Sequence, residues 1–392
     1  MTQPLFRRDR NQAMNHEKSG LAGVIVLHES VPGHRNQSLG IAEELQGQSG
    51  AVLVEFEVPN LRGLSRLLKV KGKLKQLPNL STPEILNWLI KAEGTLLLES
   101  VKSWLREKNI DTGNVLVISA GSRVAPYNYA VSQVLGCKSA TLMTPKYLGA
   151  GPFDFSIIPV HDSEKEEANV LVTLGAPNRI RPEMIQVEKE KIQKEFPPAS
   201  KSWGILIGGE NSTFRIPPDW VERNLVPILQ KAESEKVDIY LVTSRRTRPE
   251  TEQAIKKTCS SSSSIKMLWL ASERQGNPVP GVLGLSERVY CTEDSISMIS
   301  ETLTAGKPVV LLKTDYIQGP KEFIKKIGLK TGILSKRSAW KPDKFNLLYD
   351  RFREKGWLFD PQDEIKEYPK IQFHEAKRAA EWILSKWALK DW

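Results

Sequence analysis

The chain has 392 residues, which is too long for one ordinary hydrophobic core and about right for two α/β domains. Its composition, 40% hydrophobic and 26% charged, is that of an ordinary globular protein and excludes a disordered or fibrous chain. The formal net charge of +10 favours anionic partners, but it does not choose among nucleotides, phospholipid surfaces and nucleic acid.

Residues 1–19 are predicted to be an N-terminal tail, because they are polar and charged and lack the apolar core of a signal peptide. No later stretch reaches the roughly twenty apolar residues that span a bilayer. We therefore expect a cytoplasmic protein. Cys137, Cys259 and Cys291 lie far apart in sequence, so we expect buried, reduced thiols and neither a disulfide framework nor a metal site.

Residues 20–180 are predicted to form a first Rossmann-like domain, because short apolar runs bounded by turn residues alternate with segments of helical period. Helices are predicted at residues 37–45, 85–107 and 129–135. The predicted strands are residues 23–27, 51–56, 115–119, 139–143, 155–159 and 170–174.

One segment of this domain, residues 61–77, has six basic residues interleaved with leucines and no acid. Such a basic amphipathic stretch can lie on an anionic membrane, with leucines buried and lysines near the headgroups. A solvated helix face that packs on its own domain is the alternative. We therefore carry two expectations, a wholly cytoplasmic protein and one held peripherally on the inner membrane.

Residues 181–202 are predicted to be a linker, because a charged helical stretch ends there in Phe196, Pro197 and Pro198. A second Rossmann-like domain is predicted over 203–345, and a helical segment that packs back on the body over 346–392. In that last segment, Ala376, Ala379, Ala380, Ile383 and Trp387 have helical spacing. The predicted strands of the second domain are residues 203–207, 237–242, 265–270, 288–291 and 308–312.

The loop after the first strand carries a histidine, His34, at the entrance to a helix. In open α/β sheets, ligands bind beyond the carboxyl ends of the strands. Because the ordinary pKa of histidine lies near working pH, His34 can act as a general base on an acceptor hydroxyl. It can also cap the turn or orient the acceptor. Gly33, Asn36 and Gln37 are the other acceptor-side candidates in this loop.

Two strand ends of the second domain carry candidate phosphate-binding residues. Gly208 and Gly209 follow the first strand, where missing side chains would let backbone amides approach a diphosphate, although tight turns also use such pairs. The next strand ends in Ser244, Arg245 and Arg246, and arginines there can bind phosphate in bidentate fashion. Surface arginines without a ligand are the alternative.

The segment 289–308 reads as a strand, a hydroxyl-rich helix start and then an Ala-Gly-Lys-Pro turn. The hydroxyls of Thr292, Ser295 and Ser297, together with helix N-terminal amides, suit a phosphate. Glu301 lies one or two turns into the helix and can accept hydrogen bonds from a ribose diol. Ser295 can also be a simple N-cap, and Glu301 can be a structural acid paired with Lys307.

Residues 300–308 resemble the donor-site signature of GT-B glycosyltransferases, in which the glutamate holds the ribose of a UDP-sugar. More widely, the chain resembles the mitochondrial fission Elm family and its bacterial relatives, which are described as glycosyltransferases or nucleotide-sugar enzymes. The resemblance rests on residues 32–40, 153–162, 172–178, 208–209, 244–247 and 292–298.

This resemblance implies a GT-B fold, with two doubly wound domains that face each other across a cleft, the acceptor side N-terminal and the donor side C-terminal. It implies that no metal is usually needed, but it supplies neither the sugar nor the acceptor. Our leading hypothesis is a glycosyltransferase without a cofactor that moves sugar from a nucleotide sugar to a cell-envelope glycolipid or polysaccharide at the cytoplasmic face of the membrane. No nucleic-acid partner is expected. A nucleotide-sugar epimerase of the same architecture and a non-catalytic membrane adaptor remain as alternatives.

Overall fold

The computed structural model describes residues 20–60, 72, 74–163, 165–199, 201–211, 213–317, 344–365, 367 and 370–389. The chain divides into two compact units, of which the first contains Met1–Arg179 and Glu375–Trp392 and the second contains Ile180–His374. The predicted tail, residues 1–19, and most of the basic stretch 61–77 lie outside the described residues.

The first unit is built on a six-stranded parallel sheet with the strand order β2-β1-β3-β4-β5-β6. Every predicted strand of this domain is confirmed to within one residue at each end. The strands are β1 (Gly23–His28), β2 (Val52–Glu57), β3 (Val115–Ala120), β4 (Lys138–Leu142), β5 (Phe155–Pro159) and β6 (Val170–Thr173). The helices of this unit are α1 (Pro32–Ser49), α2 (Thr82–Lys91), α3 (Thr95–Lys108), α4 (Ala125–Leu135) and, from the C-terminal segment, α12 (Glu375–Trp387).

The sheet of the first unit is covered on both faces, which explains why β3 and β5 are buried along their whole length. Successive side chains of a strand point to opposite faces. Val115 and Val117 of β3 therefore join one core, while Leu116 and Ile118 join the other. The second core also takes in α12, through the alanines, Ile383 and Trp387 that the sequence predicted to be its packing face.

The long helix predicted over residues 85–107 is in fact two helices, α2 and α3. The chain turns between them at Glu93, whose φ is +62°, in the left-handed region, and at Gly94. A β-carbon at Gly94 would lie 2.4 Å from Leu89 Cδ1, so a larger residue there would require the Leu89 side chain to move. The prediction of one helix was wrong because the helical period continues on both sides of the turn.

The second unit contains a second six-stranded parallel sheet, with the order β10-β9-β7-β11-β12-β14. A short antiparallel ribbon pairs β8 with β13. The strands are β7 (Ser202–Ile207), β8 (Phe214–Arg215), β9 (Asp238–Thr243), β10 (Ile265–Trp269), β11 (Arg288–Thr292), β12 (Val309–Leu312), β13 (Asp315–Tyr316) and β14 (Leu358–Phe359). The helices are α5 (Pro182–Glu195), α6 (Pro218–Trp220), α7 (Val226–Glu235), α8 (Pro249–Cys259), α9 (Val279–Leu285), α10 (Ile296–Thr304) and α11 (Lys344–Glu354).

Two segments differ from the predicted domain organisation. The predicted linker 181–202 forms α5, whose residues Ile185 and Glu188 lie close against Gly284 and Gly281 of α9, within the second unit. The predicted C-terminal segment 346–392 is shared between the units. Its first part supplies α11 and the edge strand β14 to the second unit, and only α12 belongs to the first. A two-residue strand is too short to show a period in the sequence.

The strand order reverses once in each sheet. The reversal lies between β1 and β3 in the first unit and between β7 and β11 in the second. The second sheet has the classical Rossmann order. Loops that leave the carboxyl ends of two strands on either side of such a point diverge and leave room for a ligand. The two doubly wound Rossmann-like domains confirm the predicted fold class, since the GT-B class combines two such domains. The reversal points of the two sheets are the positions at which this fold places ligands.

Candidate functional site

His34 lies at the reversal point of the first sheet, in the first turn of α1. Its Nδ1 is 3.1 Å from Oε1 of Glu29, the residue that follows β1. The His34 side chain is 34% exposed and that of Glu29 only 10%. A charged carboxylate only accepts hydrogen bonds, so this contact assigns the ring proton to Nδ1 and leaves the Nε2 lone pair able to take a proton.

The end of the neighbouring strand β3 also packs against the His34 ring. Gly121 follows β3 with φ +95°, and a β-carbon there would lie 2.7 Å from His34 Nδ1. Arg123 approaches Glu29, with 3.6 Å between its Nη1 and Oε2 of the carboxylate. Glu29, His34, Gly121 and Arg123 together are called the His34 cluster below. The ring is thus set by a hydrogen bond and by a space that only glycine leaves.

The three predicted acceptor-side residues lie in α1 beside His34 but do not all share its face. At about 100° per residue, Gln37 lies roughly 60° around the helix axis from His34, whereas Asn36 lies about 160° away. Gly33 is exposed, and nothing lies within 4 Å of its β-carbon position. The acceptor roles of Gly33, Asn36 and Gln37 stay predictions.

Gly208 and Gly209 lie at the reversal point of the second sheet, but their backbone amides are already bonded. The Gly208 amide donates to Thr292 Oγ1 at 2.8 Å, and the Gly209 amide donates to Asp294 Oδ2 at 2.9 Å. A β-carbon at Gly208 would lie 2.3 Å from the Asp294 carboxylate, and one at Gly209 would lie 2.1 Å from the Arg246 backbone. The glycines are needed for close packing of loops, and a direct phosphate contact by their amides would require those bonds to break.

The loop after β9 carries the predicted hydroxyl and arginine residues in different settings. Ser244 Oγ accepts the Arg246 amide at 3.0 Å, so this hydroxyl stabilises the turn. The Arg246 guanidinium donates from Nη2 to Asp294 Oδ2 at 3.0 Å, yet 44% of its side chain is exposed. Arg245 is exposed and has no ion-pair or hydrogen-bond partner among the described residues. Two guanidiniums therefore stand at this strand end.

Helix α10 begins directly beyond β11, and its N-terminus has unused donors. Ser295 is its N-cap residue, and no side-chain hydrogen bond caps the helix. The amides of the first turn have no carbonyl one turn earlier to bind, which makes this end of the helix partly positive. Ser297 lies in the same turn and is partly exposed. The predicted phosphate-binding groups Ser295 and Ser297 are thus at a helix end that can take an anion.

Glu301 lies on the same face of α10 as Ser297, four residues and about 6 Å further along the helix. Its side chain is partly buried, and burial raises the pKa of Glu301 to about 7. Among the described residues its carboxylate has no hydrogen-bond or ion-pair partner, and Lys307 is not paired with it. A desolvated carboxylate without a partner is typical of a ligand-binding position.

Two acids that contact the candidate site residues, Glu29 and Asp294, were not assigned a role from the sequence. Glu29 follows a buried strand directly, and an acid in that position is the signal that could have identified it. Asp294 lies two residues beyond the end of β11, after Glu293. The third neighbouring acid, Glu293, is structural, because it accepts from the Thr314 amide at 2.8 Å and pairs with Lys313 at 2.9 Å.

Three further findings concern the composition-based expectations. All three cysteines are buried, as predicted. In the part of the chain that the structure describes, no His, Cys, Asp and Glu side chains cluster in a way that could hold a metal ion. Among those residues no helix is both long and apolar enough to cross a membrane.

The family model of the mitochondrial fission ELM1 proteins matches residues 32–387, which is most of the chain. The chain belongs to this family. A curated relative of this ELM1-family chain is an uncharacterized protein of Rickettsia prowazekii, 26% identical over 151 residues. That match covers 38% of the present chain and 42% of the relative, so the chain spans less than half the length of the curated relative it matches.

Solved structures of two enzyme classes are similar to the ELM1-family chain at low identity. A UDP-GlcNAc 2-epimerase of Methanocaldococcus jannaschii is 12% identical, with a TM-score of 0.49 over 93% of this chain and 100% of that one. The Neisseria meningitidis UDP-GlcNAc 2-epimerase bound to UDP-GlcNAc is 14% identical, with a TM-score of 0.45 over 93% and 99%. A glycosyltransferase of Rickettsia africae is 12% identical, with a TM-score of 0.44 over 95% and 100%.

Proposed function

We propose that this chain is a glycosyltransferase that uses a nucleotide sugar as donor and a cell-envelope glycolipid or polysaccharide as acceptor. The observation that carries the proposal is the arrangement on α10. An uncapped helix N-terminus with two serines lies one helical turn from the unpaired Glu301. An anion and a diol at that separation are what a nucleoside diphosphate presents.

The donor half of the proposal assigns each group a part of the nucleotide. The first-turn amides of α10, with Ser295 and Ser297, would bind a phosphate, as helix N-termini do in other proteins. Glu301 would accept hydrogen bonds from the two ribose hydroxyls, and Arg245 and Arg246 would offset the diphosphate charge. These groups would offset the negative charge that develops on the leaving diphosphate, so we propose a reaction that needs no bound metal.

The acceptor half rests on the His34 cluster. An acceptor hydroxyl would give its proton to His34 Nε2 as its oxygen bonds to the anomeric carbon of the sugar. The bond from that carbon to the diphosphate breaks, and the nucleoside diphosphate leaves with the electron pair. Glu29, at 3.1 Å from Nδ1, would stabilise the imidazolium that forms. The imidazolium then returns its proton to solvent.

A panel of nucleoside diphosphates and nucleotide sugars tests this function by thermal shift. A ligand at one hundred times its dissociation constant stabilises the folded chain by about 2.7 kcal/mol, so one member of the panel is expected to raise the melting temperature clearly. The bound nucleotide sugar is then incubated without an acceptor. Conversion to an isomeric sugar would identify an epimerase instead, and binding of no nucleotide would favour a non-catalytic adaptor.

We also propose that the basic stretch 61–77 holds the protein on anionic membrane, although most of it lies outside the described residues. The motive is six basic residues without an acid, each contributing on the order of 1 kcal/mol near a charged surface. Changing Lys69, Lys71, Lys73 and Lys75 to glutamate is expected to abolish flotation with anionic vesicles. A variant that floats like the parent would leave the stretch a solvated face.

A further inference from the structure

Asp294 connects three strand-end loops of the second sheet. It follows β11, and its Oδ2 accepts both the Gly209 amide after β7 and the Arg246 guanidinium after β9. Since β7 lies between β9 and β11, the carboxylate bridges two strand spacings, about 9.5 Å in all. The Asp294 side chain is completely buried, with 0% exposure, whereas that of Arg246 is 44% exposed.

The ion pair is therefore buried on the Asp294 side and open to solvent on the Arg246 side. The inner edge of the guanidinium, through Nη2, is held by Asp294, and no other hydrogen bond of this guanidinium is found among the described residues. Its outer part faces solvent beside the start of α10. A guanidinium has five donors in a fixed plane, so holding one edge also fixes where the other edge points.

Two hydrogen bonds of the Arg246 backbone fix the conformation of the loop after β9. The Arg246 carbonyl accepts the Glu210 amide at 3.1 Å, and the Arg246 amide donates to Ser244 at 3.0 Å. The Gly209 β-carbon position is filled by the Arg246 backbone. Backbone and side chain of Arg246 are therefore both tied to the loops that flank the reversal point.

We propose that Asp294 is a positioning residue, which aims Arg246 at the diphosphate of the nucleotide bound at the start of α10. The inference rests on the proposed donor site and deepens it. Because Asp294 neutralises one of the two arginines, the net positive charge of the site would come from its neighbour, Arg245. Burial raises the pKa of Asp294, and the Gly209 amide, the Thr292 hydroxyl and Arg246 act against that shift.

A double-mutant cycle with pyrophosphate as the probe tests this role without knowledge of the base or the sugar. Asp294→Asn keeps an oxygen for the Gly209 amide but loses the charge that holds Arg246, so we expect affinity by calorimetry to fall about tenfold. The pyrophosphate affinity of Arg246→Gln is expected to fall by at least the same factor. The double variant should bind no more weakly than Arg246→Gln alone, because Asp294 acts through that side chain.

The neighbouring arginine supplies the matched control. In a second cycle, the fold-losses of pyrophosphate affinity caused by Arg245→Gln and by Asp294→Asn should multiply in the double variant, because Asp294 does not contact Arg245. If Asp294→Asn does not fold, as judged by its melting curve, Asp294→Glu replaces it in both cycles, because it keeps the charge and displaces it by one methylene. The loss of affinity caused by Asp294→Glu should likewise be absent when Arg246 is already replaced by glutamine.

Two results would overturn the inference while the proposed function stands. One is that the fold-losses of affinity caused by Asp294→Asn and by Arg246→Gln multiply in the double variant. The other is that Asp294→Asn binds pyrophosphate more tightly, which would make Asp294 an internal competitor of the phosphate. If the parent chain binds neither pyrophosphate nor any nucleoside diphosphate, the inference and the proposed donor site both fail.

Discussion

Replacing His34 with alanine is expected to lower turnover by about a hundredfold or more, while nucleotide affinity stays nearly unchanged. A general base acts mainly in the transition state and typically contributes between a hundred- and ten-thousandfold. His34 belongs to the first unit and the proposed donor residues belong to the second, so loss of the imidazole leaves the contacts among the donor residues intact. Steady-state kinetics and calorimetric titration of the same preparations measure the two quantities.

Two further variants separate catalysis from folding at this site. Glu29→Gln can still hydrogen-bond to Nδ1 but cannot stabilise an imidazolium by charge, so turnover should fall roughly tenfold. His374→Ala, at an exposed histidine outside the cluster, serves as the matched control and should behave as the parent. Equal turnover of parent and His34→Ala would remove the catalytic role and leave His34 a structural residue.

Replacing Glu301 with alanine is expected to weaken nucleoside diphosphate binding by roughly ten- to a hundredfold. Hydrogen bonds to a charged group contribute about 1.5 to 3 kcal/mol each, and each 1.4 kcal/mol is a factor of ten in affinity. The carboxylate has no partner to lose among the described residues, so the melting temperature of the empty protein should not fall. Glu235→Ala, at an exposed end of α7, is the matched control.

The pH dependence gives this prediction a second readout. Burial raises the pKa of Glu301 from its ordinary value of 4.5 to about 7. Between pH 4.5 and about 7 the folded chain keeps a proton on Glu301 that the unfolded chain has lost. The free energy of unfolding of the empty protein therefore decreases as pH rises through this range. Ribose hydroxyls donate to the charged form. Affinity should therefore increase as pH rises through about 7, and this increase should be absent in Glu301→Gln.

The competing view treats Glu301 as a structural acid. It predicts a lower melting temperature for the empty Glu301→Ala variant together with unchanged affinity. That combination would remove the ribose assignment and the main physical reason for a nucleotide-sugar enzyme. The absence of a Glu301–Lys307 pair in the described residues argues for the ligand role.

The domain boundaries illustrate what local patterns miss. Helix α12 returns to the first unit about two hundred residues after β6, where Glu375 accepts a hydrogen bond from the Leu174 amide and the helix packs in the second core of that unit. The amphipathic face of α12 was visible in the sequence, but not the sheet that it covers. Likewise β14 is a strand only because β12 offers it an edge.

The sequence by itself determined the strands, most helices and the strand-end loops, because these follow from local hydrophobic period and turn residues. It also carried the family and the position of Glu301 one turn beyond Ser297, since helix geometry alone sets that spacing. Tertiary structure decided which strand ends become neighbours. In a parallel sheet every neighbour is joined by a crossover, so Asp294 meets Arg246 from 48 residues away and Thr292 meets Gly208 from 84. No local pattern encodes those distances, and for that reason the contacts of Asp294 with Arg246 and Gly209 could not be predicted from the sequence.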